Sequence, residues 1–206
     1  MQQLLIFPYS GTAKEALDCL GDHWNCIGFI SDDENVIGKE FFNVKVYSRR
    51  ALEDFPKAKI LAVHGGPSSF HNRGVILDSL KIPLERYAMV IHKHSSVSTR
   101  ATIGRNVLIM AGVVITANAI IRDHVIILPN SVVHHDSIVG DRTLIAANVT
   151  IAGNVQIGSN CYIGAASSIK NGLSLGNNVL VGMGANVISS FPDDCTVIGN
   201  PAKPMN

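Results

Sequence analysis

Three consecutive residues, His134, His135 and Asp136, are the part of this sequence best suited to acid–base chemistry. A neutral imidazole is available near pH 7 to take a proton, and an adjacent carboxylate can orient the ring and stabilise its protonated form. A backbone N–H with no side chain beside it, such as that of Gly153, can hold an oxygen that is gaining negative charge. These groups suit acyl transfer to an amine or a hydroxyl, with His135 as the base, Asp136 assisting it and His134 as the alternative base.

These residues lie in a stretch, residues 91–187, in which every sixth position is aliphatic. A helix would require spacings of three and four, and an ordinary strand would require strict alternation, so the pattern predicts a hexapeptide repeat. Glycine, asparagine and aspartate recur between the aliphatic positions, where tight corners are needed. The aliphatic positions are Ile91, Val97, Ile103, Ile109, Ile115, Ile121, Ile127, Val133, Val139, Ile145, Ile151, Ile157, Ile163, Ile169, Leu175, Val181 and Val187.

Each repeat is expected to form one short strand and one turn, with three repeats per coil. Successive coils then stack about 4.8 Å apart through parallel ladder hydrogen bonds. Stacking buries a continuous column of aliphatic side chains that no single repeat could bury. Because His135 and Gly153 are three repeats apart, they are predicted to lie one above the other on the same edge of the coil. The spacing alone does not give the handedness.

The first part of the chain alternates apolar runs with amphipathic segments, which predicts a small parallel α/β domain in residues 1–86. The β-helix and a short C-terminal tail follow in residues 87–206. Ligands of such sheets bind at the carboxyl ends of the strands. The loops expected to meet there and to bind a substrate contribute Ser10, Gly11, Thr12, Asp32, Asp33 and Gly65.

Bulk properties narrow the range of partners. The formal net charge is +1, so neither nucleic acid nor an anionic membrane surface is an expected partner. The sequence has no secretory leader and no apolar run long enough to span a bilayer, and we expect a cytoplasmic protein. The four cysteines are too scattered for a zinc motif or a disulfide framework, so no bound metal is expected.

Repeats such as Ile103-Gly104-Arg105-Asn106 and Ile157-Gly158-Ser159-Asn160 resemble those of the hexapeptide-repeat acyltransferases. The resemblance covers nearly the whole C-terminal half. It implies a left-handed parallel β-helix, a homotrimer with active sites between subunits, and acetyl-CoA as the co-substrate.

A small α/β domain joined directly to such repeats resembles the sialic acid O-acetyltransferase family of bacterial sugar acyltransferases, which includes the UDP-4-amino-sugar N-acetyltransferases. The fold class is then a Rossmann-like α/β domain followed by a left-handed β-helix. The segment His135-Asp136-Ser137-Ile138-Val139-Gly140 resembles the family's catalytic segment. The resemblance implies His135 as base, Asp136 as its partner and Gly153 at the acetyl carbonyl.

The same resemblance implies further contacts. Asp32 and Asp33 match an acidic pair that meets the nucleobase, and Ser10 and Gly11 match part of a phosphate-binding loop, although Pro8 stands where the first loop glycine belongs. Leu128 and Leu144 replace a common asparagine and a common histidine. The segment 199–203 matches a family motif, and the residues carried over for acetyl-CoA are Gly153, Ala165, Met183, Pro201 and Lys203.

The function expected from these observations is acetyl transfer from acetyl-CoA to the amino or hydroxyl group of a nucleotide-linked sugar in bacterial surface glycan synthesis. Two alternatives stay open. One is a non-catalytic or regulatory β-helix trimer with a degenerate nucleotide domain. The other is a metal-dependent hydratase of the γ-carbonic-anhydrase type, which needs three histidines around zinc and whose histidine spacing is absent here.

Overall fold

A computed structural model describes residues 1–205 of the chain. The first part forms a five-stranded sheet. One interior strand, with four fully buried residues from Leu4 to Phe7, lies parallel to both of its neighbours. The sheet also contains one parallel and one antiparallel pair towards its far edge. Its strands are β1 (Gln2–Phe7), β2 (Trp24–Ile30), β3 (Glu40–Phe41), β4 (Val44–Tyr47) and β5 (Lys59–Ala62), in the order β3-β4-β2-β1-β5.

Three short helices connect these strands. They are α1 (Gly11–Leu17), α2 (Ala51–Asp54) and α3 (Arg73–Asp78), with single 3₁₀ turns at Gly21–His23, Phe70–Asn72 and Leu84–Arg86. The hydroxyl of Ser10 accepts a hydrogen bond from the N–H of Ala13 at 3.2 Å and so caps α1. The alternation of strands and helices agrees with the small α/β domain predicted from the sequence.

From Met89 onward the chain winds through three further sheets, whose strands are almost all parallel. The first sheet contains β7 (Ser96–Val97), β10 (Val114–Ile115), β13 (Val132–Val133), β16 (Thr150–Ile151), β19 (Ser168–Ile169) and β22 (Asn186–Val187). The second contains β8 (Thr102–Ile103), β11 (Ile120–Ile121), β14 (Ile138–Val139), β17 (Gln156–Ile157) and β20 (Ser174–Leu175). The third contains β6 (Met89–Ile91), β9 (Val107–Ile109), β12 (Ile126–Ile127), β15 (Leu144–Ile145), β18 (Tyr162–Ile163), β21 (Leu180–Val181), β23 (Thr196–Ile198) and the antiparallel β24 (Lys203–Pro204).

The register of these sheets follows the sequence period. Val132 and Val133 pair with Thr150 and Ile151, three repeats later, and the same offset recurs along all three sheets. Hydroxyl groups that enter the aliphatic core are satisfied. The Ser137 hydroxyl, for example, donates to the carbonyl of Ala152 at 2.8 Å and accepts from the N–H of Val155 at 3.1 Å. Burial of these polar atoms therefore costs little.

The three sheets meet at three edges, where the turns lie. The His135 edge joins the first and second sheets and carries Asn118, His135, Asp136 and Gly153. The Asn106 edge joins the second and third sheets and carries Asn106, His124, Arg142, Asn160 and Asn178. The Met183 edge joins the third and first sheets and carries Ala147, Ala165 and Met183.

The α/β domain packs on the outer surface of the third sheet. Leu108, Ile126 and Leu144 point out of the coil and share one buried cluster with Leu4 and Phe70 of the α/β domain. Most outward positions of this sheet are aliphatic or aromatic, whereas polar and exposed residues such as Thr150 and Gln156 also occupy outward positions on the other two sheets. The burial of apolar surface thus fixes the domain on this face.

Polar contacts tie the same domain to the Asn106 edge. The Asn106 side chain accepts from the N–H of Ala62 at 2.7 Å and donates to the carbonyl of Ala62 at 2.9 Å, so it extends the hydrogen bonding of β5. The buried guanidinium of Arg73 donates to the carbonyls of His64 and His124. These contacts bridge the α/β domain and the β-helix directly.

His124 lies at the centre of this polar junction. Its Nδ1 is 3.0 Å from the side-chain nitrogen of Asn106, and its ring meets the ring of Tyr87 edge-on with centroids 4.8 Å apart. Burial and the nearby positive charge of Arg73 lower the pKa of His124 from 6.5 to about 4. The ring is therefore neutral near pH 7 and accepts the hydrogen bond from Asn106.

Candidate active site

The His135 side chain stands at the turn between β13 and β14 and projects from the His135 edge. Its Nδ1 is 2.7 Å from Oδ2 of Asp136, and both side chains are exposed to solvent. Asp136 adopts a positive φ of 60°, which brings its carboxylate alongside the preceding ring. If Nδ1 carries the hydrogen in this contact, the lone pair of Nε2 is free to accept a proton.

Gly153 lies one coil further along the same edge, as the spacing predicted. A Cβ atom at this position would be 2.6 Å from Nε2 of His135, so the ring occupies the space that any larger residue would need. The N–H of Asn154 donates to the carbonyl of His135 at 2.9 Å and fixes the spacing of the two coils. Gly153 is buried against the ring, and within residues 1–205 no hydrogen bond uses its N–H.

A further residue of this edge, Asn118, was missed in the sequence. Its side-chain nitrogen is 3.1 Å from Oδ1 of Asp136, the carboxylate oxygen that does not face His135. The hydrogen bond with His135 and then the one with Asn118 lower the pKa of Asp136 below 3.8. The signal was available, because Asn118 precedes Asp136 by three repeats. His134, the alternative base, is half-buried, and no hydrogen bond to its ring is present in the described part of the chain.

The predicted substrate loops do come together at one end of the α/β sheet. They follow β1, β2 and β5, which are neighbours in the sheet. Thr12 and Gly65 line a crevice of about 180 Å³ whose floor is formed by Leu144 and Tyr162 of the third β-helix sheet. The hydroxyl of Ser10 is already used as the cap of α1, and the space beside Gly11 is open.

Asp32 and Asp33, the acidic pair predicted to meet a nucleobase, already have hydrogen-bond partners within the chain. Both oxygens of Asp32 are held by Arg49, at 2.6 Å from Nε and 2.7 Å from Nη2. Asp33 accepts from the backbone and side-chain nitrogens of Asn35, each at 2.9 Å, and these hydrogen bonds lower its pKa. Arg49 is distant from Asp32 in the chain, so this ion pair could not be recognised from the sequence pattern.

The residues that the family resemblance assigns to acetyl-CoA binding lie on more than one edge of the coil. Ala165 and Met183 stack on the Met183 edge, where the N–H of Gly184 donates to the carbonyl of Ala165 at 2.8 Å, whereas Gly153 lies on the His135 edge. Pro201 and Lys203 belong to the exposed tail segment that runs beside Asn186. One copy of the chain therefore does not bring these positions together along a single edge.

His135 and the substrate loops are likewise on different sides of the coil. The loops sit over the third sheet, and the His135 edge is the one edge that this sheet does not touch. The aliphatic core separates them. Half-buried aliphatic side chains nevertheless flank the His135 edge on its two outer faces, namely Val114, Val132, Ile120 and Ile138.

In residues 1–205, no group of three or more histidine, cysteine, aspartate or glutamate side chains is arranged to hold a metal ion. None of the helices in this part of the chain combines the length and apolar character that crossing a membrane requires.

Comparison with known families identifies the repeats. The pattern described as "Bacterial transferase hexapeptide (six repeats)" matches residues 118–153, which include the whole of the His135 site. The pattern described as "Hexapeptide repeat of succinyl-transferase" matches residues 101–117 and 154–188. The coil is a hexapeptide-repeat transferase domain. The resemblance noted in the sequence is confirmed.

Solved structures extend the likeness of this transferase domain to the full chain. The acetyltransferase domain of PglB from Neisseria gonorrhoeae FA1090 is similar over 100% of both chains, with 26% identity and a TM-score of 0.85. The same domain in complex with acetyl coenzyme A gives 26% identity, 99% coverage of each chain and a TM-score of 0.85. PerB from Caulobacter crescentus, in complex with CoA and GDP-perosamine, shares the fold at 24% identity and a TM-score of 0.82, over 100% of this chain and 98% of that one.

Proposed function

We propose that this protein is an acetyl-CoA-dependent acetyltransferase that acetylates the amino or hydroxyl group of a nucleotide-linked sugar in bacterial surface glycan synthesis. The observation that carries the proposal is the contact of His135 with Asp136 and Gly153 on one edge of a hexapeptide-repeat coil. The full-length likeness to an acetyltransferase domain that binds acetyl coenzyme A supports it.

The site suits the proton transfers of this reaction. The acceptor nitrogen or oxygen attacks the thioester carbonyl carbon while Nε2 of His135 takes its proton. The carbon–sulfur bond then breaks, and the protonated ring returns the proton to the sulfur of CoA. Asp136, whose carboxyl is ionised near pH 7 and whose pKa is lowered further by its hydrogen bonds with His135 and Asn118, accepts the Nδ1–H hydrogen bond and stabilises the charged ring. The N–H of Gly153, which has no partner in residues 1–205, is the group we assign to the acetyl oxygen.

The location of the remaining residues favours a site built from two copies of the chain. We infer that Gly153 of one copy and Ala165 and Met183 of another face each other across the groove that holds acetyl-CoA, because these residues occupy different edges of one coil. Pro201 and Lys203 of the tail would contact the CoA moiety, with the lysine near a phosphate. This arrangement agrees with a homotrimer of left-handed coils.

The nucleotide-linked sugar is assigned to the α/β domain, which we place at residues 1–86 with a Rossmann-like fold, ahead of the coil at 87–206. Thr12 and Gly65 line the crevice on the third sheet, Ser10 and Gly11 directly precede Thr12, and Asp32 and Asp33 follow β2. A sugar bound there reaches the His135 of a neighbouring copy, since the His135 of the copy that binds it lies on the other side of the coil. Such a reaction fits the cytoplasm, where acetyl-CoA is available.

The proposal is tested by mixing the purified protein with acetyl-CoA and a panel of UDP-, GDP- and dTDP-linked amino sugars and measuring the release of free thiol. His135→Ala should lower the rate by about 10²–10⁴-fold. His134→Ala is the matched control, because it removes the neighbouring imidazole and should retain most of the rate. A folded protein that binds neither CoA nor any nucleotide in calorimetry would favour a non-catalytic role and refute the proposal.

A further inference from the structure

The carboxylate of Asp136 is held from two sides. Its Oδ2 faces Nδ1 of His135 at 2.7 Å, and its Oδ1 accepts from the side-chain nitrogen of Asn118 at 3.1 Å. Asn118 belongs to the preceding coil, and a backbone hydrogen bond from the Asp136 N–H to the carbonyl of Ala117, at 3.1 Å, links the two coils at this point. Asn118 and Asp136 share a φ of 60°, so their side chains project in the same direction.

This arrangement fixes the rotation of the carboxylate. An aspartate with one donor can turn about its terminal torsion and offer either oxygen or neither to the ring, because that torsion is broad. With an amide donor on Oδ1, only the orientation that presents Oδ2 to His135 satisfies both partners. The hydrogen on Nδ1 of His135 is thereby favoured, which leaves Nε2 as the proton acceptor.

We propose that Asn118 is a positioning residue for the transfer reaction, acting through Asp136 to set the tautomer and the orientation of the His135 ring. This inference rests on the proposed function of the same site. Asn118 itself contacts no reacting atom, so its effect on the rate is indirect.

The chain supplies its own comparison for a purely structural role. On the Asn106 edge, Asn160 donates to Asn178 at 2.8 Å, and Asn178 donates to Asp194 at 2.8 Å, with the same positive φ at all three positions. No histidine accompanies these stacked residues. If Asn118 only stabilised the stacking of coils, its replacement and that of Asn160 would have equivalent consequences.

The test uses Asn118→Gly, with Asn160→Gly as the matched control. Glycine accepts a positive φ, so each variant loses one side-chain hydrogen bond without backbone strain. We expect Asn118→Gly to lower kcat about 3- to 10-fold with the KM for acetyl-CoA unchanged, and Asn160→Gly to keep the wild-type kcat. Both should lose similar thermal stability. Equal kcat values for the two variants would overturn the inference.

A second variant, Asn118→Asp, retains the shape but replaces the donor by another carboxylate. The added negative charge favours the protonated ring, so the acidic limb of the kcat/KM profile should move to higher pH. A merely structural role would leave that limb in place. An unmoved limb in a folded variant would contradict the proposed coupling through Asp136.

A measurement that needs no turnover separates this inference from the proposed function. Nitrogen NMR of labelled histidine, with the His135 signals assigned by comparison with His135→Ala, reports which ring nitrogen carries the hydrogen. The wild type should carry it on Nδ1, and Asn118→Gly should shift the population towards Nε2–H, while Asn160→Gly should not. This shift in a protein without acetyltransferase activity would refute the function and leave only the coupling of Asn118 to the tautomer of His135 standing. If the protein has acetyltransferase activity but Asn118→Gly leaves the tautomer unchanged, the positioning inference is refuted and the proposed function stands.

Discussion

Replacing Gly153 by alanine should displace the His135 ring and little else. The added Cβ would lie 2.6 Å from Nε2 and 2.7 Å from Cε1 of the ring, whereas carbon atoms in contact rest about 3.5–4.0 Å apart. The ring must therefore move by about 1 Å. The backbone itself accepts alanine, because Gly153 does not have a positive φ and Ala165 occupies the corresponding corner position on the Met183 edge.

The expected consequence is a loss of rate with little loss of stability. Because the His135 side chain is 55% exposed, it can turn towards solvent at a cost of about 0.5 kcal/mol or less. A misplacement of about 1 Å for a group that must contact the reacting atoms lowers kcat by about 10²-fold. Thiol release from acetyl-CoA at saturating acceptor measures kcat, and thermal unfolding measures stability.

The double variant His135→Ala, Gly153→Ala provides the control. Without the ring, the methyl group has nothing to displace, so Gly153→Ala should not lower the residual rate of His135→Ala any further. A Gly153→Ala protein within threefold of the wild-type kcat would refute the reasoning that the observed ring position is the active one. A further loss in the double variant would show that Gly153 acts through its own backbone, independently of the ring.

Three other perturbations test the site and the domain junction. Asp136→Asn keeps the shape but removes the charge opposite His135, and kcat measured by thiol release should fall by about 10-fold or more. Asn106→Asp places a carboxylate oxygen against the carbonyl of Ala62, and denaturant unfolding should show a loss of about 2–3 kcal/mol. His124 takes up a proton in the unfolded chain below pH 6.5 but in the folded protein only near pH 4. Its contribution to the free energy of unfolding is therefore complete above pH 6.5 and is lost as the pH falls towards 4. After allowance for partial exposure, His124→Asn should remove about 2 kcal/mol of the stability difference between pH 7.5 and 4.5 in urea titrations.

The period of the sequence was sufficient to predict the coil and the central contact of the site. An aliphatic residue at each sixth position fixes the number of residues per coil, and this number places Gly153 over His135. The same arithmetic places Asn118 beneath Asp136, although its significance emerged only from the hydrogen bond. Local repetition thus predicts contacts along an edge well.

Contacts between parts of the chain that do not repeat were not predictable in this way. Asp32 and Arg49 are held together by the order of strands in the α/β sheet, which the sequence pattern does not give. Docking of that domain on the third sheet depends on outward side chains such as Leu108 and Leu144. These residues are aliphatic, as the inward residues are, so residue type alone does not show that they face another domain. The position of the substrate loops relative to His135 follows from this docking, so it could not be derived from the repeat.

The two halves of the proposed site consequently depend on different interactions. His135, Asp136, Gly153 and Asn118 come from three successive coils whose spacing is fixed by backbone hydrogen bonds, so the catalytic geometry is complete within one edge. The substrate loops belong to a domain held by side-chain contacts on the opposite face, among them the pairing of Asn106 with Ala62. Loosening that domain in Asn106→Asp should therefore raise the KM for the nucleotide-linked sugar while the KM for acetyl-CoA stays unchanged. A parallel rise in both constants would mean that docking also shapes the acetyl-CoA groove, contrary to this division.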